Sequence, residues 1–130
     1  MITKAFTKFS ITTDIRALLI ENVELKSIIN NNIFPLIAPE GTTEDFIIYY
    51  RDKYGKDYTN FGVYSEHCVV WIVAVSDNYD RSQNIAELIN EAIEGKHNNT
   101  SGNGYECRLI DSTEDFEDKK YIQILVFEVK

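Results

Sequence analysis

Residues 66–75, Glu-His-Cys-Val-Val-Trp-Ile-Val-Ala-Val, constrain the fold more than any other segment of this chain. The run is β-branched and aromatic, and too apolar to alternate cleanly between a wet and a dry face. That is the pattern of a strand with both faces covered. Cys68, Val70, Ile72 and Ala74 lie on one face, and His67, Val69, Trp71, Val73 and Val75 on the other. A break at Ser76-Asp77-Asn78-Tyr79 leads into a helix whose Ile85, Leu88, Ile89, Ala92 and Ile93 form one stripe. Gly95 stands where a left-handed residue ends a helix, with Asp80 near its start and Lys96 near its end to match the helix dipole. A strand feeding a helix of this kind implies a sheet with helices docked on it.

The flanking segments extend this frame. Thr12-Thr13-Asp14 offers capping side chains before Ile15, Leu18, Leu19 and Val23 at helical spacing. Leu25, Ile28 and Ile29 suggest a second short helix begun by Asn22, and Asn30-Asn31-Asn32 ends it. Ile33-Phe34-Pro35 reads as a short extended piece, and Pro39-Glu40-Gly41-Thr42 as a turn. Residues 46–51 predict a strand, while 52–65, punctuated by Gly55 and Gly62, fit either an extended hairpin or a long loop. Residues 96–104 read as a polar loop. Residues 105–110 and 121–129 alternate as strands, joined by an acidic link over 111–120 that predicts a hairpin with a wide tip. The expected order is α-(α)-β-(β)-β-α-β-β. It describes an α+β fold with a mainly antiparallel sheet of about four strands and helices packed on one face.

With 130 residues the chain is expected to form one domain over 1–130, with residues 1–11 as an N-terminal arm. Its formal charge of -8 argues against a dedicated nucleic-acid binder, whose affinity rests on Lys and Arg neutralising phosphates. It argues equally against docking on anionic membranes. The first residues lack the apolar core of a signal peptide, and no stretch approaches a membrane span, so a cytoplasmic origin is expected.

Nothing in the chain spells out a reaction. The acidic run from Asp111 to Asp118 fails as a calcium loop, because its sixth residue is Phe116 where glycine is needed and its twelfth is Ile122. Adjacent His67 and Cys68 point to opposite faces of a strand and cannot share a metal. Two cysteines and two histidines without paired spacing do not make a zinc site. No phosphate-binding or dinucleotide motif occurs, so neither cofactor nor metal is expected.

The densest unexplained feature is aromatic: Tyr49, Tyr50, Tyr54, Tyr58, Phe61 and Tyr64, interleaved with Arg51, Lys53 and Lys56. Such a run serves a protein interface, local packing or base stacking on single strands. With an acidic total, the interface reading ranks first, and Tyr50, Tyr54, Tyr58, Phe61 and Tyr64 are its candidate subunit contacts.

Taken in order, the Asp14–Leu19 helix, Ile33-Phe34-Pro35, the Pro39–Thr42 turn, Phe46-Ile47-Ile48-Tyr49-Tyr50-Arg51, the apolar strand, its Ser76–Tyr79 break and the closing strand resemble one family. These are the small tail-completion, or tail-terminator-like, proteins of long-tailed bacteriophages and prophages. Family members often carry a proline just before the first apolar strand, where this chain has Glu44-Asp45. The resemblance implies a structural protein without enzymatic activity. It would form a homo-oligomeric ring, commonly hexameric, at the head-proximal end of the tail tube. Its partners would be tail tube and head-connector proteins, and it would reside in the virion tail after assembly in the host cytoplasm. In such a ring the acidic residues Asp111, Glu114, Asp115, Glu117 and Asp118 would form a loop facing the lumen, where they would keep DNA phosphates from sticking. Two other readings are left open by the residues alone. One is a small-molecule-binding or regulatory α+β domain, and the other a hydrolase pairing Cys68 or Cys107 with a histidine.

Overall fold

The computed structural model describes residues 7–130, leaving aside the side chains of Val63 and Tyr64; residues 1–6 of the expected arm lie outside the described residues. Among the described residues there are three helices: α1 (Ile11–Glu21), α2 (Val23–Ile29) and α3 (Tyr79–Ile93). Six strands accompany them: β1 (Ile33–Pro35), β2 (Phe46–Thr59), β3 (Gly62–Ser76), β4 (Gly95–Asn98), β5 (Gly104–Glu117) and β6 (Lys120–Val129). They form one curled sheet in the order β1-β2-β3-β6-β5-β4.

The four-stranded antiparallel sheet expected above is therefore wrong in number and in kind. The β1–β2 pair is parallel, Ile33 lying level with Ile47, which makes the sheet mixed. β4 was missed because Gly-Lys-His-Asn has no strand-forming composition. Its pairing is imposed by the β5 ladder, with Gly95 opposite Cys107 and Asn98 opposite Gly104. The segment read as a polar loop thus starts as an edge strand.

Two further segments that looked like connections are strands. Residues 52–59 continue β2 and return in β3 through a tight turn at Asn60-Phe61 with Gly62 at φ 117°, so the hairpin option holds and the loop option falls. The acidic link is no wide tip: Asp111 to Glu117 pair in succession with Val126 to Lys120. The turn shrinks to Asp118-Lys119, both with positive φ (51° and 62°), which is the demand of a two-residue turn whose twist matches the strands.

The core cluster lies on one side of the sheet, and on the other only Val75 and Val126 among the described residues are buried. Ile47 and Tyr49 of β2, Cys68, Val70, Ile72 and Ala74 of β3, Leu125, Phe127 and Val129 of β6, and Tyr105 and Cys107 of β5 join the core. They meet Ile11, Ile15 and Leu19 of α1, Leu25 and Ile29 of α2, and the α3 stripe Ile85, Leu88, Ile89 and Ile93. Each such aliphatic side chain stabilises the fold by about 1.5–3 kcal/mol when fully buried. α1 begins at Ile11 after Ser10 with no side-chain cap, so Thr12-Thr13-Asp14, expected to cap it, lie within its first turn, whereas α2 and α3 begin at asparagine caps. Asn22 accepts a bond from the Leu25 amide at 2.9 Å, and Asn78 one from the Arg81 amide at 2.9 Å.

Candidate assembly surfaces

The candidate aromatic residues do not form one patch. A strand sends successive side chains to opposite faces, and a long hairpin separates its tip from the core. Tyr50 lies on the face away from the helices, stacked on Trp71 with ring centroids 5.8 Å apart and planes at 28°. Tyr54 lies on the helix side, edge-on to Phe9 at 5.1 Å. Arg51 sits over the same Phe9 ring and donates to the Phe9 carbonyl at 2.7 Å. Tyr58 and Phe61 stand at the hairpin end, 70% and 100% exposed. The Tyr64 side chain lies outside the described residues. Two of the five thus project freely, one belongs to an open sheet face, and one packs on the N-terminal segment.

The acidic residues are positioned by β5. Asp111 and Asp115 sit opposite Val126 and Ile122, on the face away from the helices, with Glu117 opposite Lys120. Glu114 pairs with Gln123 and turns to the helix side. There it accepts bonds from the Tyr79 hydroxyl and Gln123 Nε2, each at 3.1 Å. Asp118 belongs to the turn. Asp111 and Asp115 each cap a following backbone amide. Among the described residues no Lys or Arg forms an ion pair with any of these five carboxylates.

Two features were not singled out from sequence. The sheet face opposite the helices carries Phe46, Ile48, Tyr50, Trp71, Val73, Ile122 and Ile124, all half-buried and outside the core cluster. Strand alternation already held the signal for this face, since residues of both parities were apolar on two neighbouring strands. The second is a cluster of Phe116 on Tyr121 (4.9 Å) and Tyr79 on Tyr121 (5.3 Å). A lone phenylalanine within an acidic run was its only trace.

Burial pushes the Cys107 thiol up to about 12 and raises that of Cys68, the reverse of what a nucleophile needs. His97 contacts the Ile93 carbonyl oxygen through Nε2 at 2.7 Å, and its ring packs on Tyr105. Asp45, Asp77 and Arg81 line an open depression, where Arg81 binds both carboxylates. Among the described residues no group of three or more His, Cys, Asp or Glu could hold a metal ion. No described helix is long and apolar enough to cross a membrane.

No protein-family model matches the chain, and no curated protein sequence matches it. A likeness does appear among solved structures, to a chain of the virion of a native gene transfer agent particle. Its TM-score is 0.70 over 88% of this chain and 89% of that one, at 9% sequence identity. At that identity the likeness defines a shared fold.

Proposed function

We propose that this chain is a structural protein of a phage-like virion. Its role is that of a tail-completion or tail-terminator-like subunit, closing the head-proximal end of a tail tube as a homo-oligomeric ring and presenting a surface to the head connector. The observation that carries this reading is the fold likeness to a gene transfer agent virion chain, which spans nearly all of both chains.

The surfaces support it. A lone globular domain seldom leaves a broad apolar face uncovered, and such faces mark interaction sites. Here the face around Trp71 and Tyr50 is accompanied by a hairpin that carries Tyr58 and Phe61 into solvent. A subunit of this kind acts by contact alone and needs no catalytic group, in keeping with thiols whose burial holds them protonated.

Deletion of the gene from a phage or prophage that carries it, followed by electron microscopy of the lysate, tests the proposal. Heads and tails should accumulate unjoined, with tubes of irregular length. A yield of intact, infectious particles equal to that of the parent contradicts it.

A further inference from the structure

We infer that neighbouring copies join edge to edge, residues 109–117 of β5 in one copy pairing with residues 51–59 of β2 in the next. This rests on the ring reading above and specifies its seam.

Among the described residues the sheet has two stretches of edge that no strand covers, although Phe9 packs beside the β2 stretch at Arg51 and Tyr54. β4 covers only residues 104–107 of β5, and β1 covers only residues 47–49 of β2. Beyond them, no described strand pairs with the outer side of either β5 or β2. Each uncovered stretch begins at a register shift, between Leu109 and Asp111 on β5 and between Arg51 and Lys53 on β2. An uncovered edge offers a row of backbone donors and acceptors to another strand.

Charge selects which strand that is. Residues 109–117 carry Asp111, Glu114, Asp115 and Glu117 and no Lys or Arg. Two β5 edges would set these carboxylates against each other, and like charges placed opposite destabilise a pair. The β2 stretch carries three cations, Arg51, Lys53 and Lys56, against two carboxylates, Asp52 and Asp57, and neither lysine is in an ion pair among the described residues. Its Asp57 is already engaged by the Ser65 hydroxyl at 2.9 Å and His67 at 3.7 Å. The faces agree as well. Lys53 pairs with Val69 and so shares the face of Asp111 and Asp115, whereas Lys56 pairs with Glu66 on the helix side, the side of Glu114. Unlike edges attract and like edges repel, so the contact is heterologous.

The strand directions agree too. The pairs β2–β3, β3–β6 and β6–β5 are all antiparallel, so β5 runs opposite to β2. Two copies side by side in one orientation therefore bring β5 against β2 in an antiparallel pair. The two free stretches are staggered. Thr113 lies level with Ile48 through Ile124 and Val73, whereas Gly55, at the centre of the free β2 edge, lies seven residues beyond Ile48. That stagger is roughly 23 Å at about 3.3 Å per residue. A sheet closing on itself needs a stagger of this kind, because its strands tilt against the ring axis and the register step accumulates around it. A heterologous contact that closes makes a ring.

Cross-linking of single-cysteine variants tests the seam, using Lys53→Cys and Thr113→Cys, both on the face away from the helices, with a short bis-maleimide. Native Cys68 and Cys107 are buried, so unmodified protein serves as the control. The 1:1 mixture should give cross-linked dimers at least ten-fold above either variant alone, and the Lys53→Glu/Lys56→Glu double variant should lower self-association at least ten-fold. Dimers from one variant alone show like edges meeting and overturn the seam. Wild-type protein that self-associates while the mixture gives no cross-link, or while the double variant associates undiminished, overturns the seam and leaves the ring reading standing. Wild-type protein that never self-associates overturns the ring reading, and the seam with it.

Discussion

Arg81, in the first turn of α3, grips the buried Asp45 carboxylate at the threshold of β2: Nη2 donates to Oδ1 at 3.1 Å, and Nε binds Oδ2. The same guanidinium donates to Asp77 at 2.6 Å. Asp45 is only 8% exposed, and this fork gives its carboxylate charge-assisted hydrogen bonds on both oxygens. The pair ties the loop entering the sheet to the helix that leaves it, two points 36 residues apart.

Replacing Arg81 with methionine keeps the stem and removes the fork, stranding the Asp45 carboxylate. Because the Arg81 side chain is itself 43% exposed and water can return, the cost is about 1–3 kcal/mol. Urea unfolding of Arg81→Met and of Asp45→Asn/Arg81→Met measures it. The double variant should recover part of the loss.

Lys8 reaches across to Glu66 at 2.7 Å and holds its carboxyl below the ordinary value of 4.5, mainly through that hydrogen bond. A carboxylate with a lowered folded pKa adds stability above its unfolded value and loses it as the pH falls through the folded one. Glu66→Gln should therefore cost about 1–2 kcal/mol at pH 7. The gap between variant and parent should narrow steadily as the pH falls below 4.5 and through the lowered folded value, where the folded parent takes up its proton too. Chemical denaturation at a series of pH values reads the gap directly.

The thiols should be inert while the chain is folded. Burial pushes Cys107 up to about 12 and raises Cys68, so neither presents a thiolate near neutrality. A disulfide reagent at pH 8 should label both cysteines in urea and neither in buffer within the same interval. Rapid labelling in buffer would show that β3 and β5 open locally and expose their thiols.

The turn between β5 and β6 contains a small reserve of strain. Lys119 holds φ 62°, a region that side-chain-bearing residues enter at a cost and glycine enters freely. Lys119→Gly should raise stability by about 0.5–1 kcal/mol, seen as a higher urea midpoint with an unchanged slope. A lower midpoint would show that the Lys119 side chain contributes more than its backbone loses.

Long-period apolar signals were legible in the sequence, and short polar ones were not. Although the opposite face of β3, expected to be covered, is largely half-buried and lies outside the core cluster, its core face, the α3 stripe and the α2 cap at Asn22 could all be read. β4 and the outer half of β5 could not. Gly95 to Asn98 lack strand-forming residues and Asp111 to Glu117 have only Thr113 and Phe116 among acidic and polar ones, so their geometry is imposed by ladders to β5 and β6. The Asp118-Lys119 turn lacks the glycine that usually announces a two-residue hairpin, which made the acidic strand look like a loop. Among the site residues, alternation split Tyr50 from Tyr54 across the sheet, where proximity in sequence had grouped them. The acidic row was visible as charge, but its position on a free edge required the strand order.

Light scattering on the purified chain is the most direct test of the central claim that this is a self-assembling structural subunit. The account predicts one species whose mass is an integral multiple of the 15.0 kDa subunit, and which dissociates as salt screens its charged edges. A protein that stays monomeric across the accessible concentration range, at low and high salt alike, would contradict it.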